Sequence, residues 1–422
     1  MLKVLWVTNT IFPDAAAKLG LTPPVFGGWM YGLCRDLRDR RNGLTVAVAT
    51  VVEGEQLQWF QSNDVTYYCL PREKDGRKVA EYWSQIINDF SPDLVHIHGT
   101  EFEHGLLLMR AFPGLKYIVS IQGLISLCYR YYLHGLSFFD IVSSITLRDI
   151  VRGDTLFQAK SKFLKRGCAE REYIERADMI LGRTEWDFVH VNAIRQNVLY
   201  RHCDESLRDV FYDSHEWLRD NCEEHSIFIS QAGYPLKGLH QVLKAMPFLI
   251  KEFPKLKLSV AGPNFFSTQG IISKLKIGGY AKYIRHLISC LNLYDRVFFL
   301  GPLNESKMRD AYLKAHVFVC PSSIENSPNS LGEAQILGVP VVAAYCGGIP
   351  SMVRDGESAL LYRFEEPEML AAKIKSVFSS SDLASRLSRN GSEEAWSRHD
   401  RVKNVEAIER VYTSMSISRN WE

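Results

Sequence analysis

The sequence VFVCPSSIENSPNSLGEAQILGVPVVAA at residues 317–344 contains the pattern that decides the fold. Its first four residues form a short apolar run, and a second run, VPVVA, follows at 339–343, so each is predicted to be a buried strand. Ser327 is a suitable N-cap and Pro328 suits a first helical position, which predicts a helix between the two strands. A strand, a helix and a strand in this order indicate a parallel βαβ unit.

The same alternation of short apolar runs and amphipathic segments extends over both halves of the chain. Before a polar stretch at 213–224 the predicted strands are 4–8, 44–50, 65–70, 93–97, 116–120 and 179–181. After it they are 226–230, 257–261, 297–300, 317–320, 339–343 and 359–361. We therefore predict an α/β protein with two doubly wound Rossmann-like domains that face each other across a cleft.

The polar stretch also suggests the domain boundary. Residues 1–220 are expected to form the first domain and residues 221–399 the second, with a last helix at about 400–422 packed back on the first. Ligands of doubly wound sheets bind beyond the carboxyl ends of the strands. The loops after the strands are therefore the expected place of the active site.

The composition is that of an ordinary globular protein, with 422 residues, 46% hydrophobic and 23% charged, and a net charge of +2. Such a balance gives no reason to expect a nucleic acid partner. The longest uncharged stretch, 334–353, contains Pro340 and Pro350, unlike a membrane-spanning helix. No secretory pattern opens the sequence, and no Cys-x-x-Cys pair occurs, so a cytoplasmic location is expected.

Two common nucleotide-binding motifs are missing. The loop after the first strand, NTIFP at 9–13, lacks the Gly-x-Gly-x-x-Gly turn that admits a dinucleotide pyrophosphate. The P-loop pattern Gly-x-x-x-x-Gly-Lys-Ser/Thr occurs nowhere in the sequence. Both nicotinamide chemistry and nucleoside triphosphatase chemistry are therefore disfavoured.

Two acidic residues flank the predicted start of the helix at 327. Glu325 precedes it and Glu333 lies inside it, which makes a Glu-x7-Glu pair. The first turn of a helix attracts phosphate because its backbone N–H groups point outward. Each carboxylate can accept hydrogen bonds from the paired hydroxyls of a sugar or a ribose.

This segment resembles the Glu-x7-Glu motif of the family-four retaining glycosyltransferases, which have the GT-B fold. Further loops resemble the same family in chain order: FGGW at 26–29, DLVHIHG at 93–99, YPLKG at 234–238, AGP at 261–263, FFLG at 298–301 and GGIP at 347–350. The resemblance covers nearly the whole chain, and residues 317–350 are its most specific part. It implies a retaining glycosyltransferase whose donor substrate is a nucleoside diphosphate sugar.

The resemblance also implies roles for individual residues of the second half. Glu333 would bind the ribose hydroxyls and Glu325 would lie near the sugar hydroxyls. Lys237 would bind the diphosphate together with the backbone amides at the helix start, those of Ser327, Asn329 and Ser330. An ammonium and a helix N-terminus stabilise the negative charge that develops on the leaving diphosphate. Neither a metal nor a cofactor is expected, and a diphosphate oxygen would receive the acceptor proton.

In the first half, Gly27 and Gly28 resemble the loop that meets donor and acceptor. The sequence departs from the family at two places. Residues 230–234 lack the arginine that usually accompanies the phosphate-binding lysine, so either Gln231 or a distant basic residue compensates, or the diphosphate is held more weakly. The usual histidine is replaced by Gln122, which can bind a sugar hydroxyl but cannot act as a base near pH 7. His98 is therefore the candidate for contacting the acceptor or the sugar.

The expected function is transfer of a sugar from a UDP- or GDP-linked donor to a glycan or lipid-linked acceptor, in bacterial surface polysaccharide assembly. Two alternatives stay open: a nucleotide-sugar epimerase of the same fold, and a scaffold that binds nucleotide sugar without turnover. An aromatic run at 128–139 and a basic run at 160–166 could place the protein at the inner face of a membrane. A packed helical insertion with one solvated face would explain the same residues.

Overall fold

Two β-sheets organise the chain, one in each of two structural units. The computed structural model describes residues 1–24, 27–40, 43–266 and 277–417. Unit 1 comprises Met1–Ser126, Lys165–Arg208 and the segment from His399 onward, and unit 2 comprises Leu127–Leu164 and Asp209–Arg398. The predicted α/β class with two Rossmann-like domains is confirmed.

The strands of the described residues alternate with helices along the chain. In unit 1 they are β1 (Leu2–Thr8), β2 (Leu44–Val52), β3 (Gln58–Ser62), β4 (Val65–Pro71), β5 (Leu94–His98), β6 (Tyr117–Ser120), β7 (Met179–Gly182) and β8 (Tyr200–His202). In unit 2 they are β9 (Glu223–Ile229), β10 (Lys257–Ala261), β11 (Val297–Gly301), β12 (Ala315–Cys320), β13 (Val341–Ala344) and β14 (Leu360–Tyr362).

Both sheets have the strand order of doubly wound folds. The first runs β3-β4-β2-β1-β5-β6-β7-β8, in which β3 alone of the described strands is antiparallel to its neighbour. The second runs β11-β10-β9-β12-β13-β14 and is parallel between all of its described pairs. Every predicted strand is present. Strands β3 and β8 were not predicted, because an exposed edge strand and a strand of three mostly polar residues produce no apolar run.

The helices of the described residues cover the faces of the two sheets. In chain order they are α1 (Pro13–Lys18), α2 (Gly28–Asp39), α3 (Gly76–Phe90), α4 (His104–Ala111), α5 (Ile125–Tyr131), α6 (Phe138–Ser144), α7 (Leu147–Arg152), α8 (Leu156–Arg176), α9 (Glu185–Ile194), α10 (Leu239–Ile250), α11 (Gly279–Cys290), α12 (Glu305–Lys314), α13 (Asn329–Ile336), α14 (Pro367–Ser379), α15 (Ser381–Arg398) and α16 (Arg401–Ile417). None of these described helices combines the length and the apolarity needed to cross a bilayer.

Helix α16 packs in unit 1, on the strands that the N-terminus forms. The hydroxyl of Tyr412 accepts a hydrogen bond of 2.8 Å from Trp6 Nε1 of β1. Arg401 forms an ion pair of 2.8 Å with Asp36 of α2. Both Trp6 and Tyr412 are buried, so the last described helix is part of the hydrophobic core around β1. The predicted residues 418–422 of this helix lie outside the described residues.

Residues 127–164 were predicted to belong to the first domain. In the structure they belong to unit 2. The imidazole of His240 in α10 is 3.0 Å from the carbonyl oxygen of His134, and Lys244 Nζ donates to the carbonyl of Gly135 at 2.8 Å. Such contacts join residues about a hundred positions apart in sequence, so no local periodicity could have indicated them.

Candidate functional site

The centre of the candidate site in unit 2 is an ion pair between Lys237 and Glu325. Lys237 ends the short helical turn Pro235–Lys237 that follows β9, and Glu325 lies in the loop after β12, the neighbouring strand. The distance from Lys237 Nζ to Glu325 Oε1 is 2.5 Å, and Ser322 Oγ donates to the same oxygen at 2.7 Å. Because parallel strands end at one edge of the sheet, two residues predicted from separate loops meet there.

Both charges of this pair are largely withdrawn from water. The side chains of Lys237 and Glu325 are 17% and 16% exposed. Burial works against the charged ammonium, but the Glu325 carboxylate and, to a smaller extent, Tyr234 together raise the pKa of Lys237. The aromatic ring of Tyr234 lies beside the ammonium, with its centroid 5.9 Å from Nζ. Lys237 is therefore a fixed positive charge at neutral pH.

Glycines at two turns let the loops of the site approach one another. Gly238 has φ +68°, and a Cβ atom there would overlap the carbonyl oxygen of Pro321 at the end of β12. Gly347 has φ +51°, and its Cβ would overlap the carbonyl oxygen of Glu325. The next amide, that of Gly348, donates to this same oxygen at 2.9 Å. The predicted Gly-Gly-x-Pro turn thus holds the backbone that carries Glu325.

Helix α13 begins one residue later than predicted. Its first residue is Asn329, and Pro328 occupies the N-cap position in an extended conformation with ψ 115°. The prediction of Ser327 as N-cap and Pro328 as first helical residue is therefore wrong, because an extended ψ cannot continue into a helical turn. Asn329 and Ser330 are the residues of the first turn, where N–H groups point outward along the axis.

Glu333 lies further along α13 and is buried. The hydroxyl of Tyr312 in α12 is 3.4 Å from Glu333 Oε2 and donates to the carbonyl of Ser330 at 3.0 Å. Tyr312 therefore connects α12 both to this carboxylate and to the first turn of α13. Tyr312 was not predicted as a site residue, because a tyrosine in an amphipathic helix looks like an ordinary core residue.

In unit 1, the structure buries the side chain of His98. The residue ends β5, its ring is 1% exposed, and the ring centroid lies 4.3 Å from that of Trp6. Neither ring nitrogen has a hydrogen-bond partner among the described residues. Burial, with help from His96 and Arg183, lowers the pKa of His98 well below its ordinary value. The imidazole is therefore neutral and enclosed, a position that does not favour direct contact with a substrate.

The other predicted residues of unit 1 lie around the start of α2. Gly27 is the N-cap of this helix with φ +80°, and a Cβ atom there would lie 3.1 Å from Thr10 Cγ2. A Cβ atom at Gly28 would lie 3.1 Å from Cγ of the Arg208 side chain. Gln122, half-buried, has its amide nitrogen 3.7 Å from the sulfur of Met30 in α2. Phe26 of the predicted FGGW loop lies outside the described residues.

Glu101, which was not predicted as a site residue, lies close to the end of β1 in unit 1. Asn9, just after β1, donates to Glu101 Oε2 at 2.6 Å, and Arg166 Nε donates to the Glu101 carbonyl at 3.0 Å. Burial raises the pKa of Glu101 to about 7, and the nearby Glu170 carboxylate adds to the effect. The available signal in the sequence was its place four residues after the end of the predicted strand 93–97. Within the described ranges, no group of three or more His, Cys, Asp or Glu side chains could hold a metal ion.

Comparison with known proteins points to one class of enzyme for the second half of the chain. Residues 215–394 match the model of the family described as glycosyl transferases group 1. This range includes Lys237, Glu325 and Glu333. The solved structures that resemble the chain are glycosyltransferases of the GT-B fold, which confirms that part of the fold prediction.

The individual relatives are distant. Spore coat protein SA of Bacillus subtilis (strain 168) is 26% identical over 179 residues, which are 42% of this chain and 45% of that protein. A D-inositol 3-phosphate glycosyltransferase of Mycolicibacterium vanbaalenii is 35% identical over 145 residues, 34% of this chain and 31% of the relative. The matched region thus spans less than half the length of these curated relatives.

The structural likeness extends over the whole chain. Sucrose-phosphate synthase from Thermosynechococcus elongatus superposes with a TM-score of 0.73 at 16% identity, covering 99% of this chain and 100% of the other. Anabaena Alr3699/HepE in complex with UDP-glucose has a TM-score of 0.66 at 15% identity, covering 98% and 100%. At such identities the likeness shows the fold alone.

Proposed function

We propose that this protein is a retaining glycosyltransferase that moves a sugar from a nucleoside diphosphate donor to a glycan or lipid-linked acceptor. The observation that carries the proposal is the Lys237–Glu325 ion pair at the carboxyl edge of the second sheet. Glu325 lies four residues before the first residue of α13, and both residues of the pair lie within the region that matches the family model. A cation, a helix start and a carboxylate are the groups that a sugar diphosphate requires.

The leaving group determines what these residues do. When the bond between sugar and phosphate breaks, negative charge develops on the diphosphate. The ammonium of Lys237 and the outward N–H groups of Asn329 and Ser330 stabilise that charge without reorganisation, because the fold already holds them in place. This arrangement needs no metal, so we propose metal-independent transfer. A phosphate oxygen at Lys237 would take over part of its interaction with Glu325.

The carboxylates orient the donor. Glu325, held by Ser322 and the Gly347–Gly348 turn, accepts a hydrogen bond from a hydroxyl of the transferred sugar, and Glu333 accepts from the ribose. Retention follows if the acceptor approaches the face that the diphosphate leaves, with a diphosphate oxygen taking its proton. No protein nucleophile is assigned. For unit 1, we propose that Gly27, Gly28 and Gln122 bind a sugar or the acceptor, while the ring of His98 stays buried beside Trp6.

UDP is the first donor nucleotide to test, since the similar Anabaena protein was solved with UDP and with UDP-glucose. GDP is the second. We propose bacterial surface polysaccharide assembly as the process, on the strength of the sequence resemblance alone. The acceptor would then be a growing glycan, free or linked to a lipid.

Calorimetric titration with UDP, GDP, ADP and their common sugars tests the donor site. One nucleotide should bind clearly more tightly than the others. Lys237→Ala should then lower kcat by about 10² to 10³, because it removes charge stabilisation from the transition state. Lys257→Ala is the matched control: this lysine forms an exposed ion pair with Glu223, and its loss should leave kcat unchanged.

Several outcomes would contradict the proposal. An increase in KM with unchanged kcat in Lys237→Ala would show uniform binding and remove the leaving-group role. Conversion of donor without any acceptor, seen as an altered sugar still attached to the nucleotide, would identify an epimerase. Donor binding with no turnover against any acceptor would favour a scaffold.

A further inference from the structure

The insertion between β6 and β7 exposes an unusual amount of apolar surface. Helix α6 presents Phe138, Phe139 and Val142 to solvent and buries Ile141. Phe138 and Phe139 are 74% and 79% exposed. Single exposed apolar residues are common on protein surfaces, but adjacent phenylalanines at this exposure are not. The capping box of Ser137 and Asp140 fixes the start of the helix, so the exposed pair belongs to an ordered element.

Helix α7 turns its apolar face outward as well. Leu147, Ile150 and Val151 have the i, i+3, i+4 spacing that normally marks a buried helix face, yet all are more than 60% exposed. The residue that this helix buries is Asp149, whose carboxylate accepts from the amide of Thr146 and from Arg148. The apolar face of α7 therefore does not pack against the protein core.

Helix α6 meets the start of α8, and α7 follows α6 after only two residues. The ring of Phe138 lies 6.1 Å from that of Phe157, which is also exposed. We define the apolar surface as Phe138, Phe139, Leu147, Ile150, Val151 and Phe157.

Between residues 138 and 164 the insertion has four basic and three acidic side chains, a small positive excess. Each acidic side chain of the insertion is already engaged: Asp140 in a capping box, Asp149 with Arg148, and Asp154 with Lys162 at 2.9 Å. Arg152 and Lys160 have no carboxylate partner among the described residues. Lys160 follows Phe157 by one helical turn, and Arg152 follows Val151 directly. Positive charge beside exposed aromatic and aliphatic side chains is complementary to an anionic lipid surface.

We propose that the apolar surface docks on an anionic lipid bilayer, with Phe138, Phe139 and the α7 side chains inserted at the headgroup boundary and Arg152 and Lys160 at the phosphates. The insertion is tied to the site of unit 2, since Ser323 Oγ donates to the carbonyl of Tyr131 at 3.1 Å, two residues from Glu325. Docking there would hold the Lys237–Glu325 pair near the bilayer, where a lipid-linked acceptor would be. The docking itself rests on exposure and charge and is independent of the donor.

Vesicle flotation with the purified full chain tests the inference. Wild-type protein should float with vesicles of phosphatidylcholine and phosphatidylglycerol in equal parts, and much less with phosphatidylcholine alone or at high salt. Phe138→Ser with Phe139→Ser should reduce the floated fraction by about tenfold or more. Phe248→Ser, an exposed phenylalanine of α10 outside the surface, is the matched control and should float as wild type does. Arg152→Gln with Lys160→Gln should abolish the preference for the anionic vesicles.

The proposal is overturned if wild-type protein stays with the unbound fraction, if it floats equally on both vesicle types, or if the double phenylalanine variant floats unchanged. A dimer in sedimentation velocity that this variant dissociates, without vesicle binding, would identify a second copy as the partner. Thermal melting of each variant checks the fold. UDP binding measured without vesicles separates this outcome from failure of the proposed function.

Discussion

The carboxyl group of Glu101 illustrates what burial does to a single residue. It lies just beyond the carboxyl end of β5 beside Asn9, and burial moves its pKa from 4.5 to about 7. In the unfolded chain the same group ionises near its ordinary value. Between these two values the folded protein binds a proton that the unfolded protein does not, so stability falls as the pH rises through this window.

Glu101→Gln removes that titration and should therefore stabilise the protein more at pH 8 than at pH 5. The shift from 4.5 to about 7 corresponds to about 2–3 kcal/mol in the free energy of unfolding. The glutamine retains an oxygen that can accept from Asn9. Denaturant unfolding of variant and wild type at both pH values measures the difference. A difference of equal size at pH 5 and pH 8 would contradict the raised pKa.

At the scale of elements, short turns decide where the residues of the candidate site point. The turn at Gly347 and Gly348 contacts the carbonyl of Glu325 so closely that a methyl group does not fit. In helix α7 the capping residues define where the helix begins and ends. The spacing of its apolar residues, however, predicts the wrong buried face. Local signals thus predict that an element exists more reliably than they predict its orientation.

Gly347→Ala should cost at least about 3 kcal/mol of stability, since a positive φ and an overlap with backbone both oppose the methyl group. Donor affinity should fall by about tenfold or more, because the displaced backbone carries Glu325. Gly356→Ala is the matched control: it has φ +78° and no atom within 4 Å of its Cβ, so it should cost only about 1–2 kcal/mol. Equal losses in both variants would show that the close contact is unimportant.

At the scale of the molecule, hydrogen bonds between distant parts of the chain complete the core of unit 1. Trp6 in β1 donates to the Tyr412 hydroxyl at 2.8 Å, and His96 Nδ1 is 2.6 Å from the same oxygen. The other nitrogen of His96 is 2.7 Å from Ser120 Oγ in β6. Burial lowers the pKa of His96 to about 3, so the ring is neutral and can share these bonds. One hydroxyl of α16 thus satisfies two buried side chains of the sheet.

Tyr412→Phe should destabilise the protein by about 1–3 kcal/mol, because it leaves the Trp6 indole N–H and the His96 nitrogen without their partner. Thermal or denaturant unfolding measures the loss. Tyr294→Phe removes the hydroxyl of an exposed tyrosine and should change stability by less than about 0.5 kcal/mol. If the two variants are equally stable, the buried hydroxyl contributes nothing and another group must satisfy Trp6.

The candidate site was predictable in part. Glu325 and Glu333 were identified as a Glu-x7-Glu pair after a recognisable strand, and Lys237 from the resemblance of its loop to the family; such loops meet at one sheet edge. The direct Lys237–Glu325 contact joins residues 88 positions apart, and Tyr312 reaches Glu333 from another helix. Neither contact leaves a local pattern. His98 was selected from its place at a strand end, which says nothing about whether its ring faces solvent or the core.

The sequence by itself determined the α/β class, the order of every strand except β3 and β8, and the loops that carry the charged residues, because these depend on periodicity and turn chemistry within a few residues. Only the tertiary structure decided that residues 127–164 belong with unit 2, that α7 exposes its apolar face, and that Tyr412 completes the core beside Trp6. Burial and partnership depend on neighbours that are distant along the chain. No short stretch of sequence contains that information.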